Sequence, residues 1–144
     1  MLKNIPPILG PDLLGILRAM GHGDEIAIVD ANYPADSAGP ALIRLDGVSA
    51  TDALDAILTL MPLDTFVDDA ALCMQVVGNA TQREPVMDAF ETILKKHEPA
   101  MRLASIERFA FYERVSKGYA IVQTGERRLY GNILLKKGII RPDA

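Results

Sequence analysis

The chain has 144 residues, 49% of them hydrophobic, which suits one ordinary globular domain spanning residues 1–144. No run approaches the roughly 18 uninterrupted apolar residues of a membrane helix, and residues 1–7 lack the apolar stretch of a secretory signal. A single cysteine, Cys73, excludes an intrachain disulfide. We therefore expect a soluble, cytoplasmic protein without a membrane partner.

The net charge of −4 is unevenly distributed. Residues 1–94 hold 4 Lys and Arg against 14 Asp and Glu, whereas residues 95–144 hold 11 against 5. The basic half could bind phosphate or nucleic acid, or it could pack against the acidic half within or between subunits. The basic residues are dispersed and no nucleic-acid module is recognisable. We therefore favour packing and expect no nucleic-acid partner.

The first predicted element is a helix from Pro11 to about Met20, with leucines and isoleucine at helical spacing. Gly21 is a typical helix stop, since glycine adopts the left-handed conformation without steric cost. The apolar run from Glu25 to Asp30 predicts a short buried strand. Residues 31–41 have the composition of a loop, and a loop of this length is often functional.

Helices and strands alternate along the rest of the chain. Helices are predicted from Ser49, from Glu84 to Lys96 and from Arg108 to Lys117. Strands are predicted at 72–77, 101–106, 119–123 and 132–135. This alternation is typical of an α/β fold, here a three-layer αβα domain with a mainly parallel, mixed central sheet. Ligands of such sheets bind beyond the carboxyl ends of the strands.

Two stretches near opposite ends of the chain carry the most promising polar groups. His22 and acidic neighbours lie in the turn before the first strand, which ends at Asp30; Thr124 and the run Tyr130-Gly131-Asn132 follow later strands. Histidine can give and take protons near neutral pH, and a phenol with an amide suits a sugar ring. We expect these loops to meet in one pocket that handles a small neutral polyol.

Each of these residues also has a purely structural interpretation. His22 could be a surface turn histidine, Asp30 could cap a loop, and Tyr130 and Asn132 could be turn residues. Arg108 could pair with a surface carboxylate. Two histidines far apart and no cysteine pair do not form a metal-ligand pattern, so we expect no metal.

Five segments together resemble the L-fucose mutarotase / D-ribose pyranase family, and its fucose branch more closely. They are residues 20–26 (MGHGDEI), 30–35 (DANYPA), 108–114 (RFAFYER), 124–127 (TGER) and 130–138 (YGNILLKKG). They span the chain in the family's order. The resemblance implies an enzyme that interconverts the α and β anomers of a free monosaccharide, most directly L-fucose, without cofactor or metal.

The resemblance also implies roles for particular residues. His22 would transfer protons, with Tyr130 as the candidate second group, and Asp30, Arg108, Tyr130, Gly131 and Asn132 would bind the sugar. It further implies a homo-oligomeric ring, commonly a decamer of two stacked pentamers. Alternatives are D-ribose pyranase-type activity, a sugar-binding or regulatory module without turnover, and a phosphate or nucleic-acid binder that uses the basic half.

Overall fold

The computed structural model describes residues 1–143. The helices are α1 (Pro11–Ala19), α2 (Ala50–Leu58), α3 (Pro85–His97) and α4 (Arg108–Ser116), with one 3₁₀ turn (Asp36–Ala38). The strands are β1 (Glu25–Val29), β2 (Ala41–Leu45), β3 (Ala71–Met74), β4 (Ala104–Ile106), β5 (Ala120–Thr124) and β6 (Ile133–Lys136). No helix within 1–143 is both long and apolar enough to span a membrane.

Local sequence signals explain where the helices begin. Pro11 and Pro85 occupy the first turns of α1 and α3, where no backbone N–H is required. The Ser49 side chain accepts a hydrogen bond from the Asp52 N–H and so caps α2. At α4 the Glu107 carboxylate accepts bonds from two backbone N–H groups of the first turn, and these bonds lower the pKa of Glu107.

The six strands form one mixed sheet in the order β2-β5-β1-β6-β3-β4. β1 pairs in parallel with β5, β2 with β5, and β3 with β4, whereas β6 runs antiparallel to both β1 and β3. Five strands therefore share one direction and β6 alone opposes them. The mainly parallel, mixed sheet predicted from the sequence is confirmed.

The sheet is buried on both faces, because alternate strand residues point to opposite sides. Ile26 and Ile28 join a core with residues of α1, α2 and α3, whereas Ala27 and Val29 join a second core with Phe111 and Val115 of α4. Helices therefore cover both faces, as the three-layer prediction requires.

One strand was absent from the sequence-based prediction. We assigned residues 31–41 to a loop and predicted no element immediately after them, yet β2 (Ala41–Leu45) pairs with β5 at the edge of the sheet. An edge strand is covered less than a central one, and none of its five residues is fully buried. Its short sequence therefore carries neither a clear alternation nor a long apolar run.

The common strand direction defines two edges of the sheet. We call the side where the five parallel strands end the carboxyl edge, and the opposite side the amino edge. β6 is reversed, so Asn132 before it lies at the carboxyl edge and Lys137 after it lies at the amino edge. Each edge thus gathers segments that are distant in sequence.

Candidate functional site

Asp30 and Asn132 form the polar centre of the carboxyl edge. The Asp30 N–H donates to Asn132 Oδ1 at 2.8 Å, and Asn132 Nδ2 donates to Asp30 Oδ2 at 3.3 Å. The other oxygen, Asp30 Oδ1, accepts from the Asn32 N–H at 2.9 Å. Both side chains are buried. Burial raises the pKa of Asp30, although the bonds from Asn32 and Asn132 partly oppose this shift.

Tyr130, in the turn before β6, has an uncommon backbone conformation. Tyr130 has a φ of +64°, a left-handed conformation that costs a non-glycine residue roughly 1–2 kcal/mol. Its phenol oxygen accepts a hydrogen bond from the Val77 N–H at 3.1 Å, which joins this turn to the segment after β3. Such strain is common at functional sites, where the surrounding structure holds it in place.

Gly131 is required by close packing. A Cβ at this position would lie 2.7 Å from Glu126 Cγ and 3.1 Å from the Arg128 carbonyl oxygen. Glu126 is itself buried and ion-paired with Arg128, which lowers the pKa of Glu126, so it has little freedom to move aside. Glycine therefore allows the chain to pass between the Glu126 side chain and Asp30.

Arg108 begins α4 at the same edge. Its guanidinium lies 4.5 Å from the centre of the Phe109 ring, a cation–π arrangement. Its Nε atom is buried and has no hydrogen-bond partner within residues 1–143. A buried donor of this kind usually has a partner, so the guanidinium is suited to binding an oxygen-rich ligand.

These groups surround a cavity of about 240 Å³, which we call the carboxyl-edge cavity. Its lining residues are Asp30, Asn32, Tyr33, Met74, Val77, Arg108, Tyr112, Leu129, Tyr130 and Asn132. A carboxylate, a guanidinium, an amide and three phenol rings thus converge with a few apolar side chains. This mixture suits a small molecule with an apolar ring face and several hydroxyl groups.

His22 lies elsewhere in the chain. It precedes β1 at the amino edge, whereas Asp30 follows β1 at the carboxyl edge. The strand between them has five residues, each rising about 3.3 Å, so roughly 15 Å of sheet separates the two ends. The two loops therefore do not meet within one chain. The sequence leaves open whether a neighbouring subunit completes the pocket, so the expectation of a single pocket stays a prediction.

At the amino edge His22 has a partner that sequence reasoning missed. Its Nε2 lies 3.2 Å from Asp64 Oδ1; the His22 side chain is 44% exposed and that of Asp64 only 5%. The pKa of Asp64 is lowered, first by a hydrogen bond from the Phe66 N–H and also by His22. The Phe66 ring packs beside the imidazole at 5.5 Å between ring centres. No sequence signal links residues 22 and 64, because their segments meet through separate backbone hydrogen bonds, from Gly23 to Lys137 and from Asp64 to Lys136.

A second cavity is larger than the carboxyl-edge cavity but has less convergent chemistry. It measures about 780 Å³ and lies between residues 64–68 and 97–102. Asp64 belongs to its wall, but Asp30, Arg108, Tyr130 and Asn132 do not. We therefore regard the carboxyl-edge cavity as the candidate site, because several directional polar groups meet there.

Replacing Asn132 by alanine should lower the free energy of unfolding by about 1–3 kcal/mol, since it removes the hydrogen-bond partner of the buried Asp30 N–H and of Asp30 Oδ2. Urea denaturation at neutral pH measures this loss. Asn32→Ala is the matched control, because that side chain is exposed and only its backbone N–H bonds Asp30. Equal denaturation midpoints for Asn132→Ala and the unchanged protein would contradict the role of the amide.

Relatives and solved structures resemble this chain along its whole length. It is 46% identical to the fucose mutarotase of Homo sapiens, over 96% of this chain and 94% of that one, and 45% identical to that of Danio rerio, over 99% and 97%. The crystal structure of the fucose mutarotase in complex with L-fucose from Streptococcus pneumoniae matches with a TM-score of 0.89 and 45% identity. That match covers 97% of this chain and 100% of the other.

The resemblance seen in five sequence segments thus extends to the complete fold. The model of the RbsD / FucU transport protein family matches residues 3–140, and the two vertebrate relatives align along nearly the same range. The chain belongs to the RbsD / FucU transport protein family.

Proposed function

We propose that this protein is a sugar mutarotase, an isomerase that interconverts the α and β anomers of free L-fucose. The observation that carries the proposal is the carboxyl-edge cavity, where Asp30, Arg108, Tyr130 and Asn132 converge around a space for one small ligand. The identity to fucose mutarotases of two vertebrates and of a bacterium supports the reaction and the sugar.

Mutarotation is a pair of proton transfers around ring opening. A base removes the proton of the anomeric hydroxyl while an acid protonates the ring oxygen, and the ring opens to an aldehyde. The C1–C2 bond rotates and the ring closes on the other face. Positioned side chains that accept and donate protons can therefore accelerate every step, typically by about 10²–10⁴-fold per group.

We assign proton transfer to His22, with Tyr130 as the second group. Asp64 lies beside His22 Nε2, so a carboxylate can orient the imidazole and stabilise it when protonated. Asp30, Arg108, Asn132 and the backbone of Gly131 hold the sugar hydroxyls. His22 is thus supported by Asp64, whereas Tyr130 lies with the binding groups at the carboxyl-edge cavity.

Because His22 and the carboxyl-edge cavity lie at opposite edges of one sheet, we propose that each site forms between two chains. The amino edge of one chain would present His22 to the carboxyl-edge cavity of the next. Both surfaces expose apolar side chains suited to contact: Phe66 is 60% exposed beside His22, while Val77 and Leu129 are 54% and 66% exposed at the cavity.

A contact between two different surfaces of the same chain repeats from copy to copy. It closes into a ring when the rotation between copies permits. The homo-oligomer that the family resemblance implies, commonly a decamer of two pentameric rings, is compatible with such a contact and is part of the proposal. A cytoplasmic location also remains a prediction.

The test is the rate of anomer exchange, measured by saturation-difference NMR with L-fucose, D-ribose and D-galactose. We expect the protein to exchange L-fucose anomers at least about 10²-fold faster than the spontaneous reaction. A binding or regulatory module would leave exchange at its spontaneous rate. Faster exchange of D-ribose than of L-fucose would instead favour the pyranase-type alternative.

A further inference from the structure

The Tyr33 hydroxyl is a buried polar group that the proposed reaction does not yet use. The side chain is 5% exposed, and its hydroxyl oxygen has no hydrogen-bond partner within residues 1–143. Buried polar side-chain atoms are nearly always hydrogen-bonded, because leaving one unpaired is unfavourable. This exception therefore requires an explanation from the surroundings of the ring.

Tyr33 belongs to the wall of the carboxyl-edge cavity. Its ring packs 5.2 Å from Tyr112 and 6.3 Å from Phe111, measured between ring centres. Burial raises the pKa of Tyr33, and the nearby groups of Tyr112 and Asp30 add to this shift. Both of these neighbours also line the cavity. Tyr33 thus shares the wall of the ligand space with Tyr112 and Asp30.

The backbone fixes Tyr33 in this place. Its carbonyl oxygen accepts a hydrogen bond from Gln123 Nε2 at 2.9 Å, and its N–H donates to the Asp30 carbonyl at 3.3 Å. Gln123 is itself buried at the end of β5. A phenol held by its backbone and by two neighbouring rings is preorganised, so little conformational entropy is lost when it binds a ligand.

We propose that Tyr33 is a specificity-determining residue, whose hydroxyl hydrogen-bonds the hydroxyl group at C2, C3 or C4 of the monosaccharide in the carboxyl-edge cavity. The inference rests on the proposed function and adds one direct contact to it. Packing alone does not explain the residue, since phenylalanine would fill the same space without an unpaired oxygen. A site that hydrogen-bonds a ligand hydroxyl discriminates against analogues lacking it, because a buried polar group is then left unpaired.

The test compares Tyr33→Phe with the unchanged protein against L-fucose and its 2-deoxy, 3-deoxy and 4-deoxy analogues. Dissociation constants come from calorimetric or NMR titration, so the measurement does not need turnover. We expect Tyr33→Phe to weaken L-fucose binding by about 3–10-fold, the usual effect of losing one neutral hydrogen bond. For the one deoxy analogue that lacks the partner hydroxyl, Tyr33→Phe should leave the dissociation constant unchanged, because the hydrogen bond is already missing.

Thermal unfolding without sugar separates this role from a structural one. Tyr33→Phe should unfold at the same or a higher temperature than the unchanged protein, since no bond within the chain is lost. Tyr119→Phe is the matched control, because that phenol is exposed and lies outside the cavity. It should leave binding of all four sugars unchanged.

Three results would overturn the inference, and two of them concern binding: equal weakening by Tyr33→Phe for all four sugars, or no weakening for any of them. A lowered unfolding temperature without sugar would also overturn it, because the hydroxyl would then have a structural partner. If the unchanged protein neither binds L-fucose nor accelerates its anomer exchange, the proposed function itself fails. If the unchanged protein is active but Tyr33→Phe gives any of the three overturning results, only the role of Tyr33 is rejected.

Discussion

Replacing His22 by alanine is expected to lower the rate of L-fucose anomer exchange by about 10²–10⁴-fold, because the change removes the proposed proton-transfer group. The fold should remain intact. The His22 side chain is 44% exposed, so its loss creates no buried cavity. Saturation-difference NMR gives the rate, and circular dichroism with urea denaturation reports the fold.

The other histidine supplies the matched control. His97 lies at the end of α3, where its Nε2 is 2.7 Å from an oxygen of Asp55, and it does not line the carboxyl-edge cavity. His97→Gln should therefore keep the exchange rate of the unchanged protein. Full activity of His22→Ala would reject the catalytic assignment of His22, whatever the behaviour of the control.

Mixing two inactive variants should restore activity if each site forms between chains. His22→Ala keeps an intact carboxyl-edge cavity, and Arg108→Ala keeps an intact imidazole. When the two are co-expressed and assemble at random, about a quarter of the interfaces combine an intact cavity with an intact histidine from the neighbour. We therefore expect roughly a quarter of the activity of the unchanged protein, where each variant alone has almost none.

The control combines two variants whose substitutions both lie in the carboxyl-edge cavity. Arg108 and Asn132 both line the carboxyl-edge cavity, so co-expressing Arg108→Ala with Asn132→Ala should restore nothing. Absence of recovery in the His22→Ala mixture, with mixed oligomers demonstrated by native mass spectrometry, would reject a site shared between chains. Recovery in both mixtures would reject it as well, because the gain would not depend on the interface.

Local signals predicted most of the fold. The proline residues and the Ser49 cap marked helix starts to within a residue or two, because these effects act within one turn. The buried central strands were recognisable in the sequence as apolar runs. β2 did not, since an edge strand obtains its identity from pairing with β5, which is 75 or more residues away in the chain.

The candidate site was predictable in part. Asp30, Arg108, Tyr130 and Asn132 were singled out from the sequence, and the structure brings them together at one cavity; their roles remain predictions. His22 lies at the opposite edge from Asp30, because a residue just before a strand is a strand's length away from the residue just after it. No local sequence signal predicts the pairing of Asp64 with His22, because it depends on how distant segments fold together.

The central strand β6 links the two edges of the sheet. One end leads from Asn132, which holds Asp30, and the other leads into Lys137, whose backbone bonds Gly23 and Asp24, the two residues that follow His22. Lys137 Nζ also bonds the last carbonyl groups of α1. The four residues of β6 thus connect the segment that carries His22 directly with the carboxyl-edge cavity. If each site forms between two chains, as proposed, catalytic alignment depends on how these rigid chains dock. Mutations at the contact between chains should then lower turnover without loosening the groups around His22 or around the carboxyl-edge cavity.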